Sequence, residues 1–591
     1  MRFLESDKPD RLLAPLLFVL AMGVYANSFQ NYFAWDDHFF IVQNEKLRNL
    51  SNIPIFFQED TADLYRPLRT TLYAITYHFS GLNPIGYHIV GKTLNALTVV
   101  TLYFLMVLLF RNRTGAFLAA LLFAFHPVHT EKVTFITSTY DILGDWMWLL
   151  SFTLYVIYRR EKKIWILAAS LVLMAVGLLS AETAAVAPLV IVLYDLTLGA
   201  KDRKPTVWIP YFVLLAAYLF LRTTVLGGLA RGGGPSIHPE LMNNLFTLGG
   251  VFVYYFKFII SPWPHNPWFD LRVVESPVPL SLILLFVAEL VIMVVVAFRA
   301  KKNAGFVFAF FWFFIVLSPN TNIIPSTAIL AERYIYLPSA AFAFMVALSY
   351  VRVAQNRQWR TWFVAVCLFL SAVYGFGTYQ RNKDWRNGMI LWMSTLRDHP
   401  NHYGALTNLA YDFYHLGEFE KSEKYLYRAL EIYSHGTWAE CVMGFVTEKE
   451  GKLDEAEFWY RSSSSDKLEP WEYKAKLNLS ALLINKQEYA AAIETIKAVM
   501  DKYPASYSDK YTYFLNNYGA ALFYLKESGW PKPYFKSYFH DRNIAPLIQI
   551  AENFIVLKDD VKAESMFRLC LALGSDDEKI SEKLDRVRRV W

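Results

Sequence analysis

Residues 11–38 read RLLAPLLFVLAMGVYANSFQNYFAWDDH, an apolar run over residues 12–25 followed by a polar and aromatic loop. No small-residue cleavage site follows the run, since Asn27 and Phe29 come next, so it predicts a retained membrane anchor rather than a signal peptide. A membrane-spanning helix needs about 20 mostly apolar residues, and roughly a dozen such runs occur before residue 380. These runs predict an all-α, polytopic membrane protein.

The composition supports this class of protein. Of 591 residues, 55% are hydrophobic, 17% aromatic and only 19% charged, with a mean hydropathy of +0.24. Such a chain is too apolar to be soluble throughout, so most of its apolar surface must face lipid. The apolar runs stop near residue 380, which predicts a transmembrane domain over residues 1–380 and an extracytoplasmic soluble domain over residues 381–591.

The charge pattern predicts the topology. The net charge of +6 is modest, and short basic clusters between apolar runs are typical of cytoplasmic loops, which excludes nucleic acid as the main partner. These clusters lie at residues 111–113, 159–163, 201–204, 299–302 and 352–360. By the positive-inside rule they face the cytoplasm, and the loops between them lie outside.

Placing the loops alternately inside and outside leads to a conflict at residues 243–261. A full membrane crossing there would put one of the basic clusters outside. We therefore predict that this segment is re-entrant or interfacial. The chain then has about 11 spans, an inside amino terminus and an outside carboxyl terminus. The alternative is about 12 ordinary spans with the soluble domain inside.

From residue 401 onward the sequence repeats with a period of about 34 residues, the tetratricopeptide period. Three small residues of one unit recur one period later: Ala410, Gly417 and Ala429 as Gly444, Gly451 and Ser463. Further units centre on residues 478–492 and 551–570, and residues 516–526 form a degenerate unit interrupted by glycine and proline. The pattern predicts an α-solenoid whose concave surface binds peptide or protein. The alternative is an array that only packs on the membrane domain.

Two adjacent carboxylates, Asp36 and Asp37, follow the first predicted span closely. Carboxylates near a membrane surface are costly unless they are solvated, paired or used. Adjacent side chains in a loop diverge, so one can reach a reaction centre while the other takes a metal, a basic residue or a helix amino terminus. Such a pair is also common as a helix cap. We take Asp36 and Asp37 as the candidate catalytic residues.

Two arginines in the loops predicted to lie outside could bind a phosphate group. Arg66 precedes Pro67 at the start of an apolar helix, and its planar fork matches a phosphate group, although an arginine here could equally snorkel to lipid headgroups. Arg333 and Tyr334 begin a later helix from the same face. Together with Lys132, these residues are the candidate donor-phosphate ligands.

A third group of polar residues occupies the same outer face. His126, His129 and Glu131 lie within one short segment and could ligate a metal, but their spacing does not show that they converge, and scaffolding of a polar pocket is the stronger interpretation. No metal is assigned, and a divalent cation stays an open alternative. The candidate pocket scaffold is His126, His129, Glu131, Asp141, Glu182 and Glu332. Acidic and basic residues on one face suit an anionic, lipid-linked substrate with a leaving phosphate.

Seven motifs follow one another along the chain. They are Trp35-Asp36-Asp37, Tyr65-Arg66-Pro67-Leu68, Gly86-Tyr87-His88, His126-Pro127-Val128-His129-Thr130-Glu131, Tyr194-Asp195-Leu196, Ala331-Glu332-Arg333-Tyr334-Ile335-Tyr336-Leu337-Pro338 and Asp384-Trp385. This series, followed by repeats, resembles the transmembrane and tetratricopeptide-repeat-containing O-mannosyltransferases and their bacterial relatives. The resemblance covers nearly the whole chain. It implies a GT-C glycosyltransferase fold in which the first outer loop supplies the catalytic carboxylate, a polyprenyl-phosphate sugar donor and outward-facing repeats.

The chain departs from the family pattern at two cations. The family usually has an arginine within the segment that is 138–141 here, and a lysine where this chain has Ala181. Lys132, where the family tends to have a small residue, is expected to restore one of these charges.

The leading hypothesis is an inverting transfer of one sugar, a hexose such as mannose, from polyprenyl phosphate to a serine or threonine of a protein. A carboxylate of the first loop acts as general base, which requires hydrogen-bond reach to the acceptor hydroxyl. A second hypothesis changes the acceptor to an envelope glycan or lipid, and a third is a non-catalytic repeat protein that assembles envelope machinery. Compact loops favour a bacterial inner membrane with periplasmic repeats, and a eukaryotic chain would lie in the endoplasmic reticulum membrane.

Overall fold

The computed structural model describes the chain from residue 10 to residue 589 with internal gaps. The gaps are residues 60–63, 200–204, 227, 229–239, 264, 270, 272, 300–301, 325–327, 465–469, 504–510, 542 and 574–577. The described residues form helices and contain no strand, which confirms the all-α class. The predicted basic cluster at residues 201–204, and part of the one at residues 299–302, lie outside the described residues.

The chain divides into two compact units, Met1–Pro400 and Asn401–Trp591. The division predicted at residue 380 falls inside the helix Arg357–Asp384. That helix packs within the first unit, where the hydroxyl of Thr378 donates to the Phe125 carbonyl oxygen at 2.7 Å. The compact first unit therefore extends beyond the last apolar run.

The first unit is a bundle of helices joined by turns and by longer loops, such as residues 24–66 between its first two helices. In chain order they are α1 Asp10–Gly23, α2 Pro67–Ser80, α3 Pro84–Phe110, α4 Arg113–Phe125, α5 Thr130–Thr134, α6 Ile136–Thr139, α7 Ile142–Glu161, α8 Ile164–Leu178, α9 Ala187–Thr197, α10 Ile209–Leu226, α11 Leu241–Ile260, α12 Leu280–Phe298, α13 Ala304–Leu317, α14 Ala340–Val353, α15 Arg357–Asp384 and α16 Gly388–Asp398.

The core of this bundle is apolar and rich in aromatic rings. Trp312 of α13 lies with its ring centroid 5.5 Å from Trp148 of α7 and 5.0 Å from Phe344 of α14. Its indole N–H donates to the Leu337 carbonyl oxygen at 2.9 Å, so this buried polar atom is satisfied. Three helices meet at this one side chain.

Four helical segments of the described chain are long and apolar enough to cross a membrane. They are Pro84–Phe110, Pro205–Leu226, Leu280–Phe298 and Arg357–Asp384. Shorter apolar helices, among them Arg11–Gly23 and Ala340–Val353, accompany them. The count of about 11 spans is therefore not confirmed. It stays a prediction that requires the shorter helices to cross as well.

The disputed segment at residues 243–261 lies in α11, a helix of 20 residues. Its length is about 30 Å at the usual helical rise, the thickness of a bilayer core. Residues along one side of this helix, including Leu248, Val251 and Tyr255, are buried. No break within the helix favours a re-entrant path over a crossing, so its placement stays a prediction.

Helix α7 separates two polar clusters. Asp145 lies in its first turn and Arg159 near its last, about 21 Å apart along the axis. Arg159 lies 3.3 Å from Asp195, whose second oxygen accepts hydrogen bonds from Tyr155 at 2.6 Å and Trp208 at 2.9 Å. Asp195 therefore belongs to the basic end of the bundle, and the candidate site residues gather at the other end.

The second unit is a series of helical hairpins. Its helices are α17 Tyr403–His415, α18 Phe419–Ile432, α19 Thr437–Lys449, α20 Leu453–Ser462, α21 Pro470–Asn485, α22 Tyr489–Lys502, α23 Tyr511–Tyr524, α24 Pro531–Asp541, α25 Ala545–Val556, α26 Asp560–Ala572 and α27 Glu578–Arg589. The first helices of successive hairpins, α17, α19, α21 and α23, contact one another in that order. This is the stacking predicted from the repeat period.

Small residues let the two helices of a hairpin approach closely. Gly417 and Gly451 form the turns, with φ of +75° and +81°, a conformation that glycine adopts without strain. The hydroxyl of Ser422 on α18 donates to the Ala410 carbonyl oxygen of α17 at 2.8 Å. The predicted degenerate unit is also a complete hairpin, because Pro531 occupies the first position of α24, where proline is tolerated.

A glycine-to-alanine pair tests this packing. Gly444 of α19 faces the ring of Tyr460, so a Cβ there would force the ring to move, whereas a Cβ at Gly529 would meet nothing within 4 Å. We expect Gly444→Ala to lose about 1–3 kcal/mol of stability, seen as a lower thermal midpoint of the full chain in detergent. Gly529→Ala is the control, and equal midpoints for both variants would contradict the packing.

Candidate functional site

The first outer loop separates the two adjacent carboxylates. Trp35 has a left-handed backbone with φ of +51°. Asp37 is buried, and its oxygens accept hydrogen bonds from the Ala34 amide at 3.0 Å, the Thr137 amide at 2.7 Å and the Thr137 hydroxyl at 2.6 Å. The side chain of Asp36 is exposed. Asp37 therefore fastens the loop to α6, and Asp36 is the accessible carboxylate.

Arg66 lies between two carboxylates from distant parts of the chain. Its Nη1 lies 2.9 and 2.8 Å from the two oxygens of Asp141, and its Nε lies 2.7 Å from Glu182. Arg69, one helical turn later, reaches Asp141 at 3.1 Å, and Arg222 of α10 reaches Glu182 at 2.7 Å. Three arginines facing two carboxylates leave a formal charge of +1 in this network.

The pKa of Asp141 reflects the balance between burial and charge in this network. Burial alone would raise its pKa, but the guanidinium groups of Arg66 and Arg69 outweigh burial and hold the pKa below its ordinary value. Lys132 contributes in the same direction. Asp141 is therefore ionised at neutral pH, and the network is a set of true charges rather than neutral hydrogen bonds.

Lys132 is paired within the bundle. Its side chain is buried, and its ammonium lies 3.1 Å from Asp145, whose other oxygen accepts from the Thr183 hydroxyl at 2.6 Å. Its role toward a donor phosphate stays a prediction, and its observed partner is Asp145.

Glu131, next to Lys132 on α5, joins the second cation of the site. One oxygen of Glu131 accepts from the Arg333 amide at 2.9 Å, and the other contacts the Arg333 guanidinium. Burial raises the pKa of Glu131 despite this partner. The pair ties the segment before α14 to α5 across a gap of some 200 residues in sequence.

Arg333 also contacts the first loop. Its guanidinium lies 5.7 Å from the ring centroid of Trp35 and 5.0 Å from that of Tyr334, within cation–π distance. Burial opposes its charge, but Glu131 outweighs burial and raises the pKa of Arg333, and the charge of Asp36 acts in the same direction. Asp36 and Arg333 therefore lie within electrostatic reach of each other.

Glu332 holds a different segment. It is buried, and it accepts a hydrogen bond from the Asn266 amide at 2.8 Å while His265 Nδ1 lies 3.1 Å from each of its oxygens. Burial raises its pKa, but His265 and the amide outweigh burial and lower it below the ordinary value. The segment so held carries Trp268, whose ring stacks on Trp35 at a centroid distance of 5.9 Å.

The two histidines of the predicted pocket scaffold bind backbone and hydroxyl groups. Both ring nitrogens of His126 are used, by the Ile259 carbonyl oxygen at 2.9 Å and the Val128 amide at 3.3 Å. Those of His129 contact the Phe123 carbonyl oxygen at 2.9 Å and the Ser339 hydroxyl at 2.8 Å. In the described part of the chain no three His, Cys, Asp or Glu residues form a metal-binding group.

The site contains residues that sequence reasoning missed. Arg69 lies three residues after Arg66, a helical spacing that places both on one face. Arg222 was detectable as a lone cation within an apolar helix, which marks an intramembrane functional or paired residue. His265 carried no such signal, because its partner Glu332 is distant in sequence.

No family model matches the chain. The mouse protein O-mannosyl-transferase TMTC3 is 25% identical over 520 residues, which cover 76% of this chain and 54% of that protein. The human counterpart is 24% identical over 523 residues, with the same coverage of 76% and 54%. The human protein O-mannosyl-transferase TMTC1 is 34% identical over 156 residues, which cover 24% of this chain and 18% of that protein. The chain is a distant relative of these proteins and spans about half the length of the curated relatives it matches.

Solved structures similar to the chain include the pilF protein of Pseudomonas aeruginosa, with a TM-score of 0.27, 18% identity and coverage of 32% of this chain and 83% of that one. Yeast Tom70 gives a TM-score of 0.27 at 11% identity, over 84% of this chain and 95% of that one. Scores this low carry no argument about the fold.

A double substitution tests the role of Lys132. Lys132→Ala leaves the buried Asp145 carboxylate without its ammonium partner, which costs about 3–5 kcal/mol. We expect Lys132→Ala to lower the thermal midpoint strongly and Lys132→Ala with Asp145→Asn to recover most of it. If Lys132 also serves the donor, the recovered double variant binds polyprenyl-phosphate sugar more weakly than wild type. Full donor binding by the double variant would leave the lysine with a structural role alone.

The pH dependence of stability tests the burial of Asp37. Burial raises its pKa to about 7, although Thr137 and Ala34 donate to its charged form. An unfolded aspartate has a pKa near 3.9, so between about pH 4 and pH 7 the folded chain binds the extra proton. The free energy of unfolding therefore falls as pH rises through that interval. We expect Asp37→Asn to flatten this decline, measured as the thermal midpoint in detergent.

Asp36→Asn is the matched control for this measurement, because the exposed Asp36 side chain keeps contact with solvent. The control should keep most of the wild-type decline, because burial is the main cause of the raised pKa of Asp37 and the charge of Asp36 adds only a smaller part. An unchanged decline in Asp37→Asn would contradict the burial of that carboxyl group.

Proposed function

We propose that the chain is an integral membrane glycosyltransferase of the GT-C type. It moves one sugar, a hexose such as mannose, from a polyprenyl-phosphate donor to a serine or threonine hydroxyl of a protein. The observation that carries the proposal is the exposed carboxylate of Asp36 directly after Trp35, whose ring centroid lies 5.7 Å from the Arg333 guanidinium. The names of the distant relatives, protein O-mannosyl-transferases, support the same reaction class.

Asp36 is the general base of this proposal. A base must come within hydrogen-bond reach of the acceptor hydroxyl, and the exposed Asp36 can meet an incoming substrate, whereas the oxygens of Asp37 already accept three hydrogen bonds. Asp37 instead positions the loop. Of the two candidate catalytic carboxylates, the geometry thus favours Asp36 for the chemistry.

Positive charge on the same face stabilises the leaving phosphate. Arg333 is only partly exposed and contacts Tyr334, so the two form one wall of the proposed phosphate site. The excess charge of +1 in the Arg66 network supplies a second source of positive potential, and Lys132, whose charge is balanced by Asp145, is the remaining proposed ligand of the phosphate. Preorganised charges of this kind give the largest share of rate enhancement in many enzymes.

The step moves one proton and one sugar. The acceptor hydroxyl gives its proton to Asp36 while its oxygen attacks the anomeric carbon. The bond between that carbon and the phosphate oxygen breaks, and the polyprenyl phosphate leaves with the bonding electrons. Because the oxygen attacks opposite the leaving phosphate, the configuration at the anomeric carbon inverts.

The remaining candidate site residues position other residues of the site rather than contact the substrate. Glu131 and Glu332 hold Arg333 and the Trp268 segment, Asp141 and Glu182 orient Arg66, and the histidines of the 126–129 turn fasten the turn to its neighbours.

In this proposal the face that carries the site lies outside, in a bacterial inner membrane with periplasmic repeats that receive the protein acceptor, and the apolar helices lie in the bilayer. A glycan or lipid acceptor would use the same residues.

A non-catalytic assembly protein is the second candidate. The observation that favours it is the ion pairing already present at Arg66, Arg333 and Lys132, which gives each cation a structural partner. In an enzyme these carboxylates orient the cations, and in a scaffold they simply neutralise them. A measurement of sugar transfer distinguishes the enzyme from the assembly protein, since only the enzyme turns over substrate.

Replacing the base tests the catalytic proposal. We expect Asp36→Asn to lower kcat by about 100-fold or more, the contribution of a general base, with KM and folding little changed. The assay follows a labelled hexose from polyprenyl phosphate to a serine- and threonine-containing peptide with the full chain in detergent.

Asp37→Asn is the comparison variant for the same assay, and its defect should appear chiefly in stability. Normal rates for both single variants would contradict the assignment of the base to this loop. A loss confined to Asp37→Asn would move the base to Asp37.

A further inference from the structure

A lysine of the repeat unit lies in an aromatic pocket. Lys474 of α21 places its ammonium 4.8 Å from the ring centroid of Trp471, 5.0 Å from that of Phe445 and 5.2 Å from that of Tyr411. Its one hydrogen bond within the described residues goes to the Tyr411 hydroxyl at 3.3 Å. Rings surround the cation on several sides, and two of its three N–H donors have no hydrogen-bond acceptor there.

Other lysines of the same repeats are paired differently. Lys452, Lys486 and Lys502 each lie within ion-pair distance of a glutamate, at 3.4, 2.6 and 2.6 Å respectively. No described carboxylate comes within 4.0 Å of the Lys474 ammonium. Burial lowers the pKa of Lys474 below its ordinary value, since taking an unpaired ammonium out of water is unfavourable. Lys474 therefore has no carboxylate partner within the described residues.

The pocket faces the side of the array that is built from first helices. Tyr411 and Phe445 are 34 residues apart, so they occupy equivalent positions on α17 and α19, and Trp471 and Lys474 come from the next first helix, α21. Trp471, Lys474 and Tyr411 are partly exposed. Equivalent positions of stacked repeats line one continuous surface, and such surfaces bind extended peptides.

The aromatic rings alone do not account for the lysine. A methionine or leucine would fill the same volume among three rings without the cost of desolvating a charge. Cation–π contact offsets part of that cost, yet the remaining N–H donors have no acceptor among the described residues. A ligand carboxylate would accept these hydrogen bonds, and its flanking groups would pack on the indole of Trp471.

We propose that Lys474, with Tyr411, Trp471 and Phe445, binds an aspartate or glutamate side chain of an extended acceptor segment. The inference rests on the proposed function only in taking the bound segment to be the acceptor; the binding site itself requires no catalysis. It predicts that sugar is transferred preferentially to serines and threonines in segments that carry an acidic residue.

Peptide binding to the full chain in detergent tests the site. The probes are a ten-residue peptide of serine, threonine and alanine with one central glutamate, and matched peptides with glutamine or lysine at that position. Calorimetry gives the dissociation constants. We expect the glutamate peptide to bind at least about tenfold more tightly than the glutamine peptide, the usual effect of a charged hydrogen bond.

Two lysines on one helix provide a matched comparison. Lys476 is also partly buried on α21, but its ammonium donates to the carbonyl oxygens of Tyr460 at 3.1 Å and Arg461 at 3.0 Å. We expect Lys474→Met to abolish the glutamate preference, Lys474→Arg to keep most of it, and Lys476→Met to keep it fully. Higher salt should reduce the preference in wild type.

Equal binding of the glutamate and glutamine peptides by the wild-type chain would overturn the proposal. Because this comparison needs no variant, the proposal can be tested even if Lys474→Met folds poorly. A preference that survives in a folded Lys474→Met chain would overturn it as well. If the glutamate peptide binds but receives no sugar, the binding site stands and the proposed function fails. Transfer without a glutamate preference leaves the enzyme proposal intact and removes the acidic-segment site.

Discussion

The ion pairs of Arg66 with Asp141 and Glu182 are the constraint on which the candidate-site end of the bundle depends. A guanidinium group in apolar surroundings has to be paired, and these carboxylates come from the turn before α7 and the turn before α9. Arg222 then joins α10 to the same network. Asp141 is the carboxylate that faces Arg69 and Glu182 the one that faces Arg222, so removing either would leave an arginine without its carboxylate partner in this network.

Several features of the fold follow from local sequence alone. The helical class, the apolar bundle and the repeat period could be predicted because hydrophobic runs and a fixed spacing of small residues such as Ala410 and Gly444 act over short distances in sequence. Arg66, Asp141 and Glu182 lie together in one ion-pair network, and the side of the membrane that this network faces stays a prediction. The local sequence also predicts turns between helices, since Gly417 occupies a turn position where the backbone has a positive φ.

The partners of the charged residues could not be predicted, because they depend on contacts between distant segments. Nothing in the sequence around Lys132 indicates that its ammonium pairs with Asp145, or that Glu131 beside it turns toward Arg333. The same holds for the two aspartates of the first loop. Their adjacency predicts that they diverge, but only the contact with Thr137 shows that Asp37 is the buried one and Asp36 the exposed one.

The central claim is that the outer-facing site transfers sugar to protein hydroxyl groups. Mass spectrometry of membrane and envelope proteins from matched cells with and without the gene tests it most directly. The account predicts single hexose additions on serine or threonine residues that are present only when the gene is intact. Identical protein modification in both strains, or gene-dependent sugar confined to envelope glycans and lipids, would contradict the account.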